Sequence, residues 1–270
     1  MSPSEPVRPG RAIAPGYEVL EHLNRSRILD VYDCWSTERE CRCIVKAQRP
    51  DRMGDSTARR RVLAEGRLLE ALRHPGIVRA YETLRAPQPL VVMETLSGET
   101  VAHLVARRVR PLGARELAFL GLQLASAVGY LHRRGYLHLD LKPSNLVVEC
   151  GRTKVIDLSI ARRPGRVKAG LGTWCYLSPE QARGGRVDAP ADVWGVGVVL
   201  WEAACGHPPF DDESVEYPQL EGRASSLRAG RRLPRALVEV VDACLDPDPR
   251  RRPALAELRA ALEPLAGARG

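Results

Sequence analysis

A chain of 270 residues has room for about two core-forming units on a prior of ~150 residues each. With 44% hydrophobic and 27% charged residues it is neither a disordered polymer nor a fibrous one. The net charge of +8 would suit a polyanion, but the arginines fall in scattered runs at residues 59–61, 107–110, 162–168 and 250–252 without interleaved aromatics. They are read as solvated surface, and nucleic acid is not an expected partner.

Residues 1–16 are Pro-rich and polar, lack the apolar core of a signal peptide, and are expected to be a disordered leader. Strand-like runs follow at 17–20, 28–35 and 41–47, the last ending in Lys46. Cys41 and Cys43 lie on one face of that strand. The seven cysteines are dispersed without zinc spacing, which points to a reducing compartment. Residues 57–73 predict a helix with Leu63, Leu68, Leu69 and Leu72 as its apolar side and Glu65 in its middle, stopped at His74-Pro75. Strands are expected at 77–81 and 89–94, the second running into Met93-Glu94-Thr95-Leu96-Ser97-Gly98. Leu117, Leu120, Leu124, Val128 and Leu131 space a long amphipathic helix over 114–134.

That helix delivers the chain into His138-Leu139-Asp140-Leu141-Lys142-Pro143-Ser144-Asn145, followed by the β-type runs Leu146-Val147-Val148 and Lys154-Val155-Ile156 and then Asp157. Asp140, Asn145 and Asp157 supply a base and oxygen ligands, the equipment for moving a phosphoryl group. One carboxylate can accept a hydroxyl proton, while an amide oxygen and a second carboxylate can hold Mg²⁺, a hard cation. Lys142 adds positive charge where negative charge would develop. Farther on, Asp192 heads an apolar helix over 193–204, residues 211–232 are polar with a short helix, and helices are expected at 234–245 and 254–265. The apolar stretch 193–205 carries Glu202 and is too short to span a bilayer, so a soluble, cytoplasmic protein without a membrane partner is expected.

The loop from His138 to Asn145 resembles the catalytic loop of eukaryotic-type (Hanks-type) serine/threonine protein kinases, and with the flanking motifs the resemblance extends over residues 17–265 to a soluble bacterial member. It implies an α+β, bilobal fold. An N-lobe over 17–96 would hold a small antiparallel sheet and one main helix, and a mostly helical C-lobe would fill 97–270. It implies ATP with Mg²⁺, or Mn²⁺ in its place, and a protein substrate offering a Ser or Thr hydroxyl. By the family's roles, Asp140 would be the catalytic base, Lys142 a phosphate contact, and Asn145 and Asp157 the metal ligands. Lys46 paired with Glu65 would position the nucleotide. Leu23, Val31, Ile44 and Val147 would enclose the adenine, with Met93 as gatekeeper and the backbones of Glu94 and Leu96 bonding the base. His138 would be structural, Asp192 would tether the loop, Thr173 would lie beside Asp140, and Arg252 would pair with Glu180.

Several positions depart from the pattern. Asn24, Ser26 and Leu29 stand where three glycines would let a bare backbone approach phosphates. Ile44 replaces a small alanine, and Ser159 a glycine. Leu139 stands where many kinases have a phosphate-gripping arginine, and residues 160–172 hold no serine, threonine or tyrosine. The segment is therefore expected to order itself without phosphorylation. The substituted nucleotide cover leaves an alternative from another class, a pseudokinase acting as a nucleotide-binding or scaffolding protein.

Overall fold

The computed structural model describes residues 5–86, 88–107 and 111–267. Residues 1–4 of the expected leader, 108–110 of the second arginine run and the final three residues lie outside them. Two compact units are formed, one by the chain up to Ser97 together with Asp157–Ser159, the other by Gly98–Ile156 and the chain from Ile160 onward.

The first unit is built on a six-stranded antiparallel sheet in the order β1-β2-β3-β4-β6-β5. Its strands are β1 (Ala12–Ala14), β2 (Tyr17–Arg25), β3 (Leu29–Ser36), β4 (Cys41–Gln48), β5 (Ala80–Leu84) and β6 (Leu90–Glu94). Alternate residues Tyr17, Val19, Tyr32, Cys34, Cys43, Val45, Leu90 and Val92 point to one face and form a dry core. The leader is not disordered from residue 5 onward: Ile13 and Ala14 are buried in that core, and the Val7 N–H donates to the Tyr32 hydroxyl (3.1 Å). Two apolar residues suffice to seat a three-residue edge strand, which Pro-rich surroundings conceal. The strand expected at 77–81 begins three residues later; Ile77 and Val78 are buried ahead of it.

Helix α1 (Ser56–Ala71) packs on β4, β5 and β6. Asp55 caps it by accepting from the N–H groups of Thr57 (2.8 Å) and Ala58 (3.0 Å). Its buried stripe includes Val62, Glu65, Gly66, Leu68 and Leu69, whereas Leu63 is only half-buried. A Cβ at Gly66 would run into the Thr83 side chain and come within 2.9 Å of Val91 Cγ2, so this bare position sets how closely the helix lies on the sheet.

The second unit centres on α5 (Ala189–Cys205), buried on all sides from Ala191 to Ala204 as its largely apolar sequence, interrupted only by Asp192 and Glu202, dictates. Around it lie α3 (Ala114–Arg133), α8 (Arg235–Cys244) and α9 (Leu255–Gly267), α3 packing along α9. A three-stranded sheet, β7 (Glu99–Thr100), β8 (Leu146–Glu149) and β9 (Arg152–Val155), carries the chain out of the His138–Asn145 loop. A two-stranded ribbon pairs β10 (Gly165–Val167) with β11 (Gly185–Val187). Short helices α2 (Val101–Arg107), α4 (Pro179–Arg183), α6 (Pro218–Glu221) and α7 (Leu227–Gly230) complete the unit. Among the described residues no helix is long and apolar enough to cross a membrane.

Replacing Gly66 with Ala is expected to lower stability by about 1–3 kcal/mol through overpacking against Thr83 and Val91, measured by urea denaturation. An unchanged midpoint would show that α1 has slack on the sheet.

Candidate active site

In the first unit, β4 presents Lys46 between two carboxylates. Its Nζ donates to Glu65 Oε1 (2.9 Å), from α1, and to Asp157 Oδ1 (3.1 Å), from a segment 111 residues away in sequence. Burial would push the Lys46 ammonium down, but the two carboxylates hold it above its ordinary range. Asp157 is raised by burial and lowered by more: Lys46 and the Ser159 N–H, which donates to Oδ1 (2.8 Å), keep it below the usual carboxylate range. Glu65 goes the other way. Burial, with Asp157 nearby, pushes it up to about 7 against the pull of Lys46. Its Oε1 also accepts the Leu158 N–H (3.2 Å), while Oε2 is buried without a hydrogen-bond partner in the protein.

A proton bound more tightly in the fold than in the unfolded chain stabilises the fold fully below about 4.5, and that contribution is lost as pH rises through about 7. Relative to Glu65→Gln, wild-type stability is therefore expected to fall by on the order of 2 kcal/mol between these two pH values, read by urea titrations of both proteins. A constant difference would place the Glu65 pKa in the ordinary range.

The turn between β2 and β3, where glycines were expected, is closed by its own side chains. The Ser26 N–H donates to the Leu29 carbonyl (2.8 Å), and Ser26 Oγ accepts from the N–H groups of Leu29 (3.0 Å) and Ile28 (3.4 Å). Arg49 Nη1 reaches the carbonyls of Ser26 (3.0 Å) and Arg27 (3.4 Å). Asp30 at the base is fully buried and receives Arg25 Nε (2.7 Å) and Nη2 (2.8 Å), with His22 Nε2 at 3.0 Å. Burial raises Asp30, and Arg25 and His22 bring it below its ordinary value. N–H groups that a glycine loop would aim at phosphates are here spent inside the turn.

Beneath this turn is a cavity of about 250 Å³ lined by Asn24, Ser26, Ile28, Leu29, Val31, Lys46, Arg61, Glu65, Asp157 and Ser159. Of the expected nucleotide residues it gathers Val31, Lys46 and Glu65, along with Asp157; Leu23, Ile44, Met93, Glu94 and Leu96 do not line it. Leu23 is exposed on β2. Ile44 pairs with Met93 across β4 and β6. The Glu94 N–H donates to the Arg79 carbonyl (3.0 Å), and Leu96 is half-buried beyond the strand.

In the second unit, Asp192 at the start of α5 receives the N–H groups of His138 (2.8 Å) and Leu139 (2.7 Å), and His132 Nε2 lies 2.7 Å from it. Burial raises the Asp192 carboxyl, while His132 and the loop N–H groups bring it below the ordinary value. Leu139 adopts a left-handed backbone (φ 64°), a conformation costing a leucine about 1–2 kcal/mol. Its N–H is fixed by Asp192, and its carbonyl accepts Gln181 Nε2 (2.8 Å). The same bend turns the Asp140 N–H onto His138 Nδ1 (3.1 Å). Asp140 is then surrounded by polar groups. Thr173 Oγ1 donates to its Oδ1 (2.7 Å), Lys142 Nζ lies 3.3 Å from Oδ2 and donates to Thr173 Oγ1 (2.6 Å), and Asn145 Nδ2 donates to its carbonyl (2.9 Å) and to Oδ2 (3.2 Å). Val147 is buried in β8. Arg252 grips Glu180 with both Nη atoms (2.7 and 2.9 Å) and lies over the Trp194 ring.

Leu139 also explains how the following segment is held. Its side chain is buried with Leu137, Val187 and Ala191, and Ile160, Val167 and Leu171 pack on them. Leu137 and Arg162 exchange backbone hydrogen bonds (2.7 and 3.0 Å). Gln181 adds a bond to the Leu171 carbonyl (2.8 Å). Sequence reading missed Gln181, although Ser178 and Gln181 form a capping box that spacing alone could have flagged. It also missed Asp30 and Arg61, for which composition offers no signal.

Among the described residues no cluster of three His, Cys, Asp or Glu could hold a metal alone. Asn145 commits its amide nitrogen to Asp140, which leaves the amide oxygen as its donor, and Asp157 adds carboxylate oxygen. Each, taken in its own unit, is the hard-oxygen type of donor that suits Mg²⁺, a cation that completes its shell with water and substrate phosphates.

A buried lysine of β4 paired with a glutamate of α1, and the spacing Asp-x-Lys-x-x-Asn that closes the loop at Asn145, are features of the protein kinase class. Residues 17–261 match the family model described as the protein kinase domain, and the chain belongs to that family, in its Hanks-type serine/threonine branch. It is 33% identical over 217 residues to a probable serine/threonine-protein kinase of Streptomyces coelicolor, covering 76% of this chain and 32% of that protein. Against the serine/threonine-protein kinase PknB of Mycobacterium tuberculosis it is 34% identical over 211 residues, 73% of this chain and 34% of the relative. The chain thus spans about a third of the length of these two relatives. The crystal structure of the Mycobacterium tuberculosis PknI kinase domain superposes with a TM-score of 0.75 at 26% identity, covering 97% of this chain and 100% of that one.

Proposed function

We propose that this chain transfers the γ-phosphoryl group of ATP to serine or threonine hydroxyls of a protein substrate. The observation that carries the reading is Asp140, whose carboxylate is oriented by Asn145 and Lys142 and already accepts a hydroxyl hydrogen bond from Thr173. Asp140 would orient the acceptor hydroxyl and take its proton. Lys142 would meet the charge developing on the transferred group, and Lys46, held by Glu65, would hold the nucleotide's phosphates. Mg²⁺, with Asn145 and Asp157 as its protein ligands, would supply charge neutralisation on those phosphates.

A second reading, a nucleotide-binding scaffold, is favoured by the closed β2–β3 turn, whose N–H groups are engaged internally. Against it stand three ionisable side chains, Lys46, Glu65 and Asp157, kept together at the desolvation penalty such a set carries. Labelled ATP with a generic basic protein separates the two. The kinase reading expects incorporation by the wild type and a loss of at least about a hundredfold in Asp140→Asn, the scale of a general-base contribution. ATP binding without incorporation would establish the scaffold.

The order in residues 160–187 supports activity without phosphorylation of this segment, since apolar packing under Leu139 and the β10–β11 ribbon do the work of a phosphate clamp. Protein freed of phosphate by phosphatase treatment is expected to keep full activity. An activating phosphate mapped to Thr173 would refute this.

A further inference from the structure

The arginines at 59–61 occupy the early turns of α1, and two of them are engaged. Arg59 donates to the Arg85 carbonyl (3.1 Å) and Arg60 to Thr57 Oγ1 (3.2 Å). Arg61 is exposed, makes no hydrogen bond or ion pair among the described residues, and lines the cavity beneath the β2–β3 turn. It stands one helical turn before Glu65 and therefore on the same face of α1.

The charge in that cavity is otherwise unfavourable to an anion. Lys46 is the sole cation other than Arg61 among the lining residues, and it is bound to two carboxylates, Glu65 and Asp157. The turn overhead offers little either, because Ser26, Ile28 and Leu29 bond their N–H groups within it. A polyphosphate entering here needs a donor from elsewhere. A guanidinium carries five N–H donors in a planar fork suited to phosphate oxygens. We infer that Arg61 binds the nucleotide's phosphates, supplying from helix α1 the donors that the side-chain-closed turn withholds.

This rests on the proposal that the chain binds ATP, and the test separates the two. Calorimetry would compare Mg-ATP with adenosine for the full chain, Arg61→Ala, Arg61→Lys and, as a neighbouring control, Arg60→Ala. Arg61→Ala is expected to weaken Mg-ATP binding by about ten- to thirtyfold, as loss of charge-assisted hydrogen bonds does, and to leave adenosine binding unchanged. Arg61→Lys should recover part of the loss, and Arg60→Ala should match wild type. Equal Mg-ATP affinity in wild type and Arg61→Ala, or a parallel loss for ATP and adenosine, would overturn the inference while leaving the nucleotide reading intact. Absence of ATP binding by the wild type would overturn both.

Discussion

One buried ammonium group, Lys46, ties together three parts of the first unit that the chain visits separately. Strand β4 supplies the cation, α1 one carboxylate, and the Asp157–Ser159 segment the other. Removing Lys46 would leave two neighbouring carboxylates without their shared cation, at a penalty of about 3–5 kcal/mol. The position of α1 is therefore an electrostatic matter as much as a packing one. Gly66 permits the approach, and Lys46 holds Glu65 once it arrives. The upward shift of Glu65 shows that this balance is not one-sided, because the carboxylate loses more by burial than the lysine returns.

The second unit solves a different problem, keeping a strained loop in one conformation. The left-handed backbone at Leu139 is unfavourable alone, yet its amide, carbonyl and side chain are each engaged, by Asp192, Gln181 and an apolar cluster respectively. Strain that is over-determined in this way persists. The result is that Asp140 is aimed by its neighbours and need not search among rotamers.

Much of this was legible in the residue order. The 3.6-residue spacing from Leu117 to Leu131 marked α3 within a residue of its observed end, and the apolar run after Asp192 marked α5. The loop from His138 to Asn145 carried the family resemblance in its spacing, and Thr173 and Glu180 met the partners assigned to them. What stayed hidden depended on tertiary company. A three-residue strand has no period to detect, so Ala12–Ala14 passed for a leader. An aspartate in a β-run looks like an exposed edge until Arg25 and His22 are seen around Asp30. In a run of three arginines, all at least partly exposed, composition does not tell which one borders a cavity.

The ribbon of β10 and β11 has a consequence for how this segment keeps its order. Its backbone bonds and the apolar packing beneath it involve no side-chain hydroxyl, and residues 160–172 present none that could carry a phosphate. The order of this segment is therefore coupled to the burial of that cluster: parting β10 from β11 would bring Val167, Val187 and Leu139 into water together.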